Sequence, residues 1–395
     1  MDFEFSPEEL DFVGDVRRFI AAQKALPDAA DVMAPDREAD SMLADSPARR
    51  AFNRRLAEAG YLGMSWAREY GGQEKSGVYD YLLNEELASV GAPLIGKGVG
   101  CIGKTLIAHG SEKLKREFLP RILKAETEFA LGYSEPSAGS DLASLQLKAV
   151  RDGDDWVLNG QKMWTTSAHF ADWYWVAART DPDAPKHKGI SVFLLPMDHP
   201  GLTVTEIRTM GDHRTNQVFF DDVRVPGDYL VGNANEGWTY VCEALDYERF
   251  TMFTVGPIRV KFDALLELLR ITRRDGVALA DDPLLRRSVA RLAAELETAT
   301  MLQRRVIAAA MKGAVPTVEA AMYKLYSTEL GRRMADFALD ALGPEGLLRH
   351  DAPDAPAAGK WEHSYRATVV DTIGGGSSEV QKNIIARRGL GLPLR

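Results

Sequence analysis

A chain of 395 residues, 45% hydrophobic and 27% charged, is too long for one core of ordinary size and has the balance of a folded, water-facing protein. Its formal charge of -9, with no Lys/Arg run interleaved with aromatics, argues against a nucleic-acid surface. Cys101 and Cys242 stand far apart, which excludes a disulfide framework or a zinc site and predicts two buried thiols; no metal is expected.

No apolar stretch approaches the roughly 18 residues of a membrane span. The acidic start, Met1 to Phe5, lacks a basic region followed by an apolar run, so the expectation is a cytoplasmic protein with no membrane contact. From Ser6 the pattern is helical: Ser6-Pro7-Glu8-Glu9 supplies an N-cap, a first-turn proline and early carboxylates before Leu10, Phe12, Val13 and Val16. Further helices are predicted over Ala51 to Glu58, Tyr79 to Val90 and Ser111 to Leu123, the last interrupted by Pro120. Three glycines in Ile95-Gly-Lys-Gly-Val-Gly100 read as a loop, although missing side chains there could also widen a cavity.

Around Glu128 the period changes from helical to alternating. Strands are predicted at Phe129 to Tyr133, Gln146 to Arg151, Trp156 to Leu158, Trp173 to Ala178, Ile190 to Leu195, Thr203 to Ile207 and Val218 to Val225. Asp152-Gly153, Asn159-Gly160, Lys188-Gly189 and Pro226-Gly227 bound them with chemistry that suits antiparallel hairpins. From Gly237 the chain is helical again. A long run from Trp238 to Thr272 holds a break at Gly256-Pro257, and runs from Asp282 to Lys312 and Thr317 to Leu342 follow. A short helix over Val380 to Arg388 starts after Gly374-Gly-Gly-Ser-Ser378, and the long helices pack as a bundle. The fold class is α+β, with a helical domain over residues 1–127, an antiparallel β domain over 128–235 and a helical bundle over 236–395.

Two segments carry chemistry. Gly132-Tyr-Ser-Glu-Pro-Ser-Ala-Gly-Ser-Asp141 crowds small residues and hydroxyls into a turn, as backbone must when its N–H groups approach a flat, phosphorylated cofactor. Trp164-Thr-Thr-Ser167 follows after a β-rich interval. Either alone could be a polar loop, and an isolated Trp164 would be read as core. Together, and in this order, they resemble the flavin-binding signature of the acyl-CoA dehydrogenase family, whose helix, β, bundle order the whole chain shares.

That resemblance implies FAD on a shelf made by Tyr133, Ser134, Ser140, Trp164, Thr165, Thr166 and Ser167, with Ser377 and Glu379 as further cofactor contacts. Trp164 would cover one ring face, Thr166 would lie near the reactive N5, and Ser140 would also face the acyl-CoA substrate. Dehydrogenation needs a base for the α-proton. Many members place a Glu in the loop before the last helix; here that position is Gly375, whose N–H could bind the thioester oxygen instead. A minority branch carries the base on the long helix after the β domain, in a context matched by Ala244-Leu-Asp-Tyr-Glu-Arg249. Glu248 then becomes the base, and Arg249 a substrate contact. Glu248 falls between Leu245 and Met252 in an apolar stripe, although a helical Glu can equally pair with Arg249 at the surface.

Two motifs that relatives lend to a neighbour's flavin depart from the family pattern, at Thr272-Arg-Arg-Asp-Gly276 and Asp340-Ala-Leu-Gly-Pro-Glu-Gly346. The resemblance therefore implies a heterotetramer with a second acyl-CoA dehydrogenase-like chain, similar to a subgroup acting on steroid side-chain thioesters. An electron-transfer flavoprotein or similar acceptor would take the electrons. The alternatives are a non-catalytic assembly subunit, or an oxygen-using relative such as an acyl-CoA oxidase.

Overall fold

The computed structural model describes residues 4–252, 254–311 and 316–393, the side chains of 39, 248–252 and 310 excepted. Six helices lead: α1 (Pro7–Lys24), α2 (Ala29–Val32), α3 (Pro47–Glu58), α4 (Val78–Ser89), α5 (Gly103–His109) and α6 (Glu112–Leu123). α1 begins where its sequence signal places it. The Glu9 N–H donates to the Ser6 hydroxyl at 3.2 Å and the Glu9 carboxylate accepts the Ser6 N–H at 2.7 Å, closing a capping box ahead of Pro7.

Two expectations change here. Pro120 stays inside α6, where burial of Leu114, Phe118, Leu119 and Ile122 carries the helix past it. The glycine run is not a loop: Gly98–Ile102 forms a π-turn that enters α5 directly. Its glycines permit close packing, since a Cβ on Gly98 would lie 3.2 Å from Ile122 and one on Gly103 would lie 2.2 Å from the Trp66 ring.

The central sheet comprises β1 (Phe129–Gly132), β2 (Lys148–Asp152), β3 (Asp155–Lys162), β4 (Trp173–Arg179), β5 (Ile190–Pro196), β6 (Leu202–Arg208), β7 (Arg214–Pro226) and β8 (Leu230–Val231). The strands run in the order β6-β7-β3-β2-β4-β5-β8, with β1 beside β4. Most pairs are antiparallel, as expected, but β1 runs parallel to β4 and β2 touches β4 in parallel register. Asn159-Gly160 does not end a strand. It marks a register shift inside β3, which continues to Lys162, and Gly160 adopts φ 137° there.

The chain closes with α7 (Gly237–Met252), α8 (Gly256–Ile271), a hairpin of β9 (Arg273–Arg274) and β10 (Val277–Ala278), α9 (Pro283–Met311), α10 (Thr317–Leu342), α11 (Lys360–Asp371) and α12 (Ser378–Ile384). The break at Gly256-Pro257 and the bounds of α10 match the sequence expectation. α11 was not anticipated; its buried face is Trp361, Ser364, Ala367 and Thr368, too polar to make an apolar stripe.

The three larger cores among the described residues hold this together. Phe12 and Phe118 of the leading helices and Trp66 of the turn between α3 and α4 share one with Phe129, Trp175 and Leu194 of the sheet. Tyr174, Phe193, Leu147 and Val218 pack on the opposite sheet face, as alternation along β4 requires. Phe262, Leu296, Tyr323, Leu330 and Trp361 fill the bundle. Cys101 is buried, but Cys242 is only half-buried, so one thiol departs from the expectation. Among the described residues no helix is long and apolar enough to cross a membrane, and no group of His, Cys, Asp and Glu is placed to hold a metal ion.

Candidate active site

The ends of β1 and β3 lie side by side and bring the two sequence segments together. The Met163 N–H donates to the Ser134 carbonyl at 2.8 Å. Beneath them sits Lys162, wholly buried, whose Nζ donates to the Tyr133 carbonyl at 3.0 Å and to Glu135 at 2.7 Å. Burial pushes the Lys162 ammonium down to about 8, against the pull of Glu135. Glu135 in turn accepts the Gln146 and Leu147 N–H groups at 2.6 and 2.9 Å, so one ion pair gathers three segments.

Several predicted site residues face inward. The Tyr133 hydroxyl accepts the Trp175 indole N–H at 3.0 Å. Thr165 shares a hydrogen bond with the Tyr174 hydroxyl at 2.8 Å, and its N–H donates to the Asn216 carbonyl at 2.9 Å. The Asn216 amide returns to the carbonyls of Thr165 and Thr166 at 2.8 and 3.3 Å. Ser167 is buried and accepts from Lys97.

Others face outward. Trp164 is 52% exposed and takes φ 63°, a left-handed backbone that costs a bulky residue about 1–2 kcal/mol and that the flanking bonds of Thr165 and Met163 hold in place. Thr166 is exposed and Ser134 half-buried, and among the described residues neither hydroxyl has a protein partner. Ser140 lies exposed on the turn beyond β1. An outward indole face beside two uncommitted hydroxyls, on backbone fixed from beneath, suits a planar heteroaromatic ring with polar edges.

Gly375 occupies a different element, the loop between α11 and α12. The fully buried Lys324 spans its base, donating to the carbonyls of Asp371 and Gly376 at 2.8 Å each. The Gln381 amide donates to the carbonyls of Gly375 and Gly376 at 3.1 Å. Gly375 is exposed at φ 65°, and among the described residues its N–H has no acceptor. Ser377 caps α12 by accepting the Val380 N–H, while Glu379 is exposed on its first turn. α11 joins this loop to the sheet: Arg366 bonds the Met210 carbonyl and Asp212, and His363 the Gly211 carbonyl.

Glu248 and Arg249 lie on α7, and their side chains fall outside the described residues. The start of α8, just beyond α7, is fixed by a group that the sequence alone did not reveal. Half-buried Glu85 of α4 accepts the Val255 N–H at 2.9 Å and the Tyr81 hydroxyl at 3.1 Å, while Tyr323 donates to the Thr254 carbonyl at 2.9 Å. Burial raises the Glu85 carboxyl above its ordinary value. Also missed was Lys162, although its parity with Trp156 and Leu158 along β3 marked it as inward.

The two divergent motifs meet at the far side of the bundle. Arg274, on the β9–β10 hairpin, donates to the Ala341 carbonyl at 2.8 Å, within the second motif. Arg274 is thereby committed within its own chain, while Ile271, Val277 and Leu347 stand exposed around it.

Comparison with known proteins agrees with this layout. Residues 6–126, 130–223 and 235–390 match the models of the acyl-CoA dehydrogenase N-terminal, middle and C-terminal domains. Acyl-CoA dehydrogenase IpdE1 of Mycobacterium tuberculosis is 40% identical over 87% of this chain and 88% of its own. Acyl-CoA dehydrogenase FadE26 of the same organism is 37% identical over 86% of each. Among solved structures, the Tcur3481-Tcur3483 steroid ACAD and the ChsE4-ChsE5 complex from M. tuberculosis each give a TM-score of 0.87 at 34% identity, covering all of both chains.

Proposed function

Because the chain belongs to the acyl-CoA dehydrogenase family, we propose that it removes two hydrogens from Cα and Cβ of an acyl-CoA thioester with the help of FAD. The observation that carries this reading is the outward surface of Trp164, Thr166 and Ser134, left free among the described residues while Tyr133, Thr165 and Ser167 are tied down within the protein. Bound flavin supplies the hydride acceptor. Trp164 and Thr166 would hold that ring, and Tyr133, Thr165 and Ser167 would contribute through main chain and by holding those two in place. Ser377 and Glu379 are further cofactor contacts, and Ser140 and Arg249 meet the substrate.

Glu248 takes the α-proton. An acyl chain that displaces water around it favours the protonated carboxyl and so strengthens the base. The unpaired N–H of Gly375 donates to the thioester oxygen as that oxygen gains charge. Glu248→Gln should lower turnover of the purified enzyme by about 10²–10⁴-fold with flavin content unchanged. Unaltered turnover would return the alternative of a non-catalytic subunit, which Gly375 raises.

The full-length likeness to the Tcur3481-Tcur3483 steroid ACAD and to the ChsE4-ChsE5 complex supports a bulky, steroid-derived acyl group and a second, related chain. Arg274 bound to Ala341 supports the same assembly, because this chain then lends no free Arg274 to a neighbour's pyrophosphate. Mass spectrometry of the purified complex should find two dehydrogenase-like chains with one flavin per pair. An active homotetramer with a flavin in every subunit would exclude the heteromer. Reduction by substrate without oxygen, with electrons passing to an electron-transfer flavoprotein and little peroxide in air, separates a dehydrogenase from an oxidase.

A further inference from the structure

Beside the shelf segment lies a small, largely apolar cavity into which Asn53, Lys97, Glu128 and Ser167 bring polar groups. It joins two motifs of the sequence that the proposed chemistry leaves separate, the glycine run around Lys97 and the Trp164–Ser167 segment. Lys97 Nζ donates to the Ser167 hydroxyl at 2.5 Å. Glu128, just before β1, balances the Lys97 charge, and burial pushes its carboxyl up to about 7 while Lys97 and then Arg50 pull it down. Asn53, 4% exposed, reaches Glu128 at 3.5 Å and leaves its Oδ1 without a protein partner.

We propose that Lys97 is a positioning residue for the flavin shelf, fixing Thr166 outward by holding its neighbour Ser167 from behind. The inference rests on the reading of Trp164 and Thr166 as flavin contacts. Thr166 is then clamped on both sides. Asn216 holds its carbonyl and that of Thr165, and Lys97 holds the next side chain. The glycines acquire a purpose in this arrangement. With a Cβ on Gly98 only 3.2 Å from Ile122 and 3.3 Å from Phe129, the turn packs against β1 closely enough for Lys97 to span the gap. A charge-assisted hydrogen bond is the strong kind, and Glu128 lies close enough to favour the half-buried Lys97 cation.

The test is a double-mutant cycle read as flavin affinity, by fluorescence titration of apoprotein prepared with whatever partner chain copurifies. Lys97→Met and Ser167→Ala should each weaken FAD binding about tenfold, and the double variant should lose little more than either alone. Lys97→Arg should recover most of the loss. Affinity within twofold of wild type for Lys97→Met, or additive losses in the double variant, overturns the proposal. If Lys97→Met does not fold, Ser167→Ala decides by itself: unaltered affinity refutes the tether. A wild-type protein that holds no flavin overturns the functional reading and this inference with it, an outcome distinct from normal flavin binding that is insensitive to Lys97.

Discussion

Two loops of this molecule are each pinned by a wholly buried lysine, and they are pinned differently. Lys162 holds the shelf through the Tyr133 carbonyl and through Glu135, a carboxylate that also takes two backbone N–H groups, so donors and acceptors are both consumed beneath the surface. Lys324 holds the glycine loop by its carbonyls, and Gln381 takes two more. There the acceptors are consumed. What each loop presents outward follows: an indole and hydroxyls from the shelf, an unpaired N–H from Gly375. A surface that must stack on a ring is made over an ion pair that ties down backbone donors and acceptors alike, and a surface that must receive an oxygen is made by tying down carbonyls and leaving an N–H outward.

The comparison breaks hardest at the ion pair. Glu135→Ala strands the Lys162 ammonium and two amides, and should cost about 3–5 kcal/mol in chemical denaturation of the flavin-free protein. Lys324→Met leaves carbonyls rather than a charge unpaired, so about 1–3 kcal/mol is expected, with turnover falling more than flavin affinity. Equal costs for the two would show that the pins are not different in kind. Gly375→Ala imposes a side chain on a left-handed backbone at φ 65° and should cost about 1–2 kcal/mol, measurable by thermal melting.

The most gradual effect is in pH dependence, a slope of at most about 1.4 kcal/mol per pH unit for one proton. Glu128 binds its proton more tightly folded, at about 7 against an ordinary 4.5. Its contribution is therefore complete below 4.5 and is lost as pH rises through 7. Lys162 runs the other way, with a folded value of about 8 against 10.5, so its contribution is complete above 10.5 and is lost as pH falls through 8. Denaturation series for Glu128→Gln and Lys162→Met should flatten these slopes, each in its own window.

Much of this was legible in the residues. The capping box at Ser6, the break at Gly256-Pro257 and the full extent of α10 are local signals, decided by a few adjacent side chains. The parallel pairing of β1 with β4 was not, because turn chemistry describes neighbours in sequence and says nothing about a strand whose partner comes later. α11 went unseen because Ser364 and Thr368 occupy its inner face. The buried pins were hidden for the same reason that they work: Lys, Glu and Asn read as surface residues until tertiary contacts supply their partners. Within the site, the motifs named the shelf residues but not their facing, so Thr165 and Thr166 looked alike in sequence and point to opposite environments.

The parallel seating of β1 also bears on how the chain acquires its shape during synthesis. When β1 and the Tyr133 turn leave the ribosome, the strand that pairs with them has not yet been made, and the helices before them still lack Trp175 and Leu194 from their own core. The first third of the protein therefore waits, with an open strand edge and exposed apolar faces, for β4 and β5 to arrive. A nascent chain stalled between β3 and β4 is the form most exposed to aggregation and most in need of a chaperone.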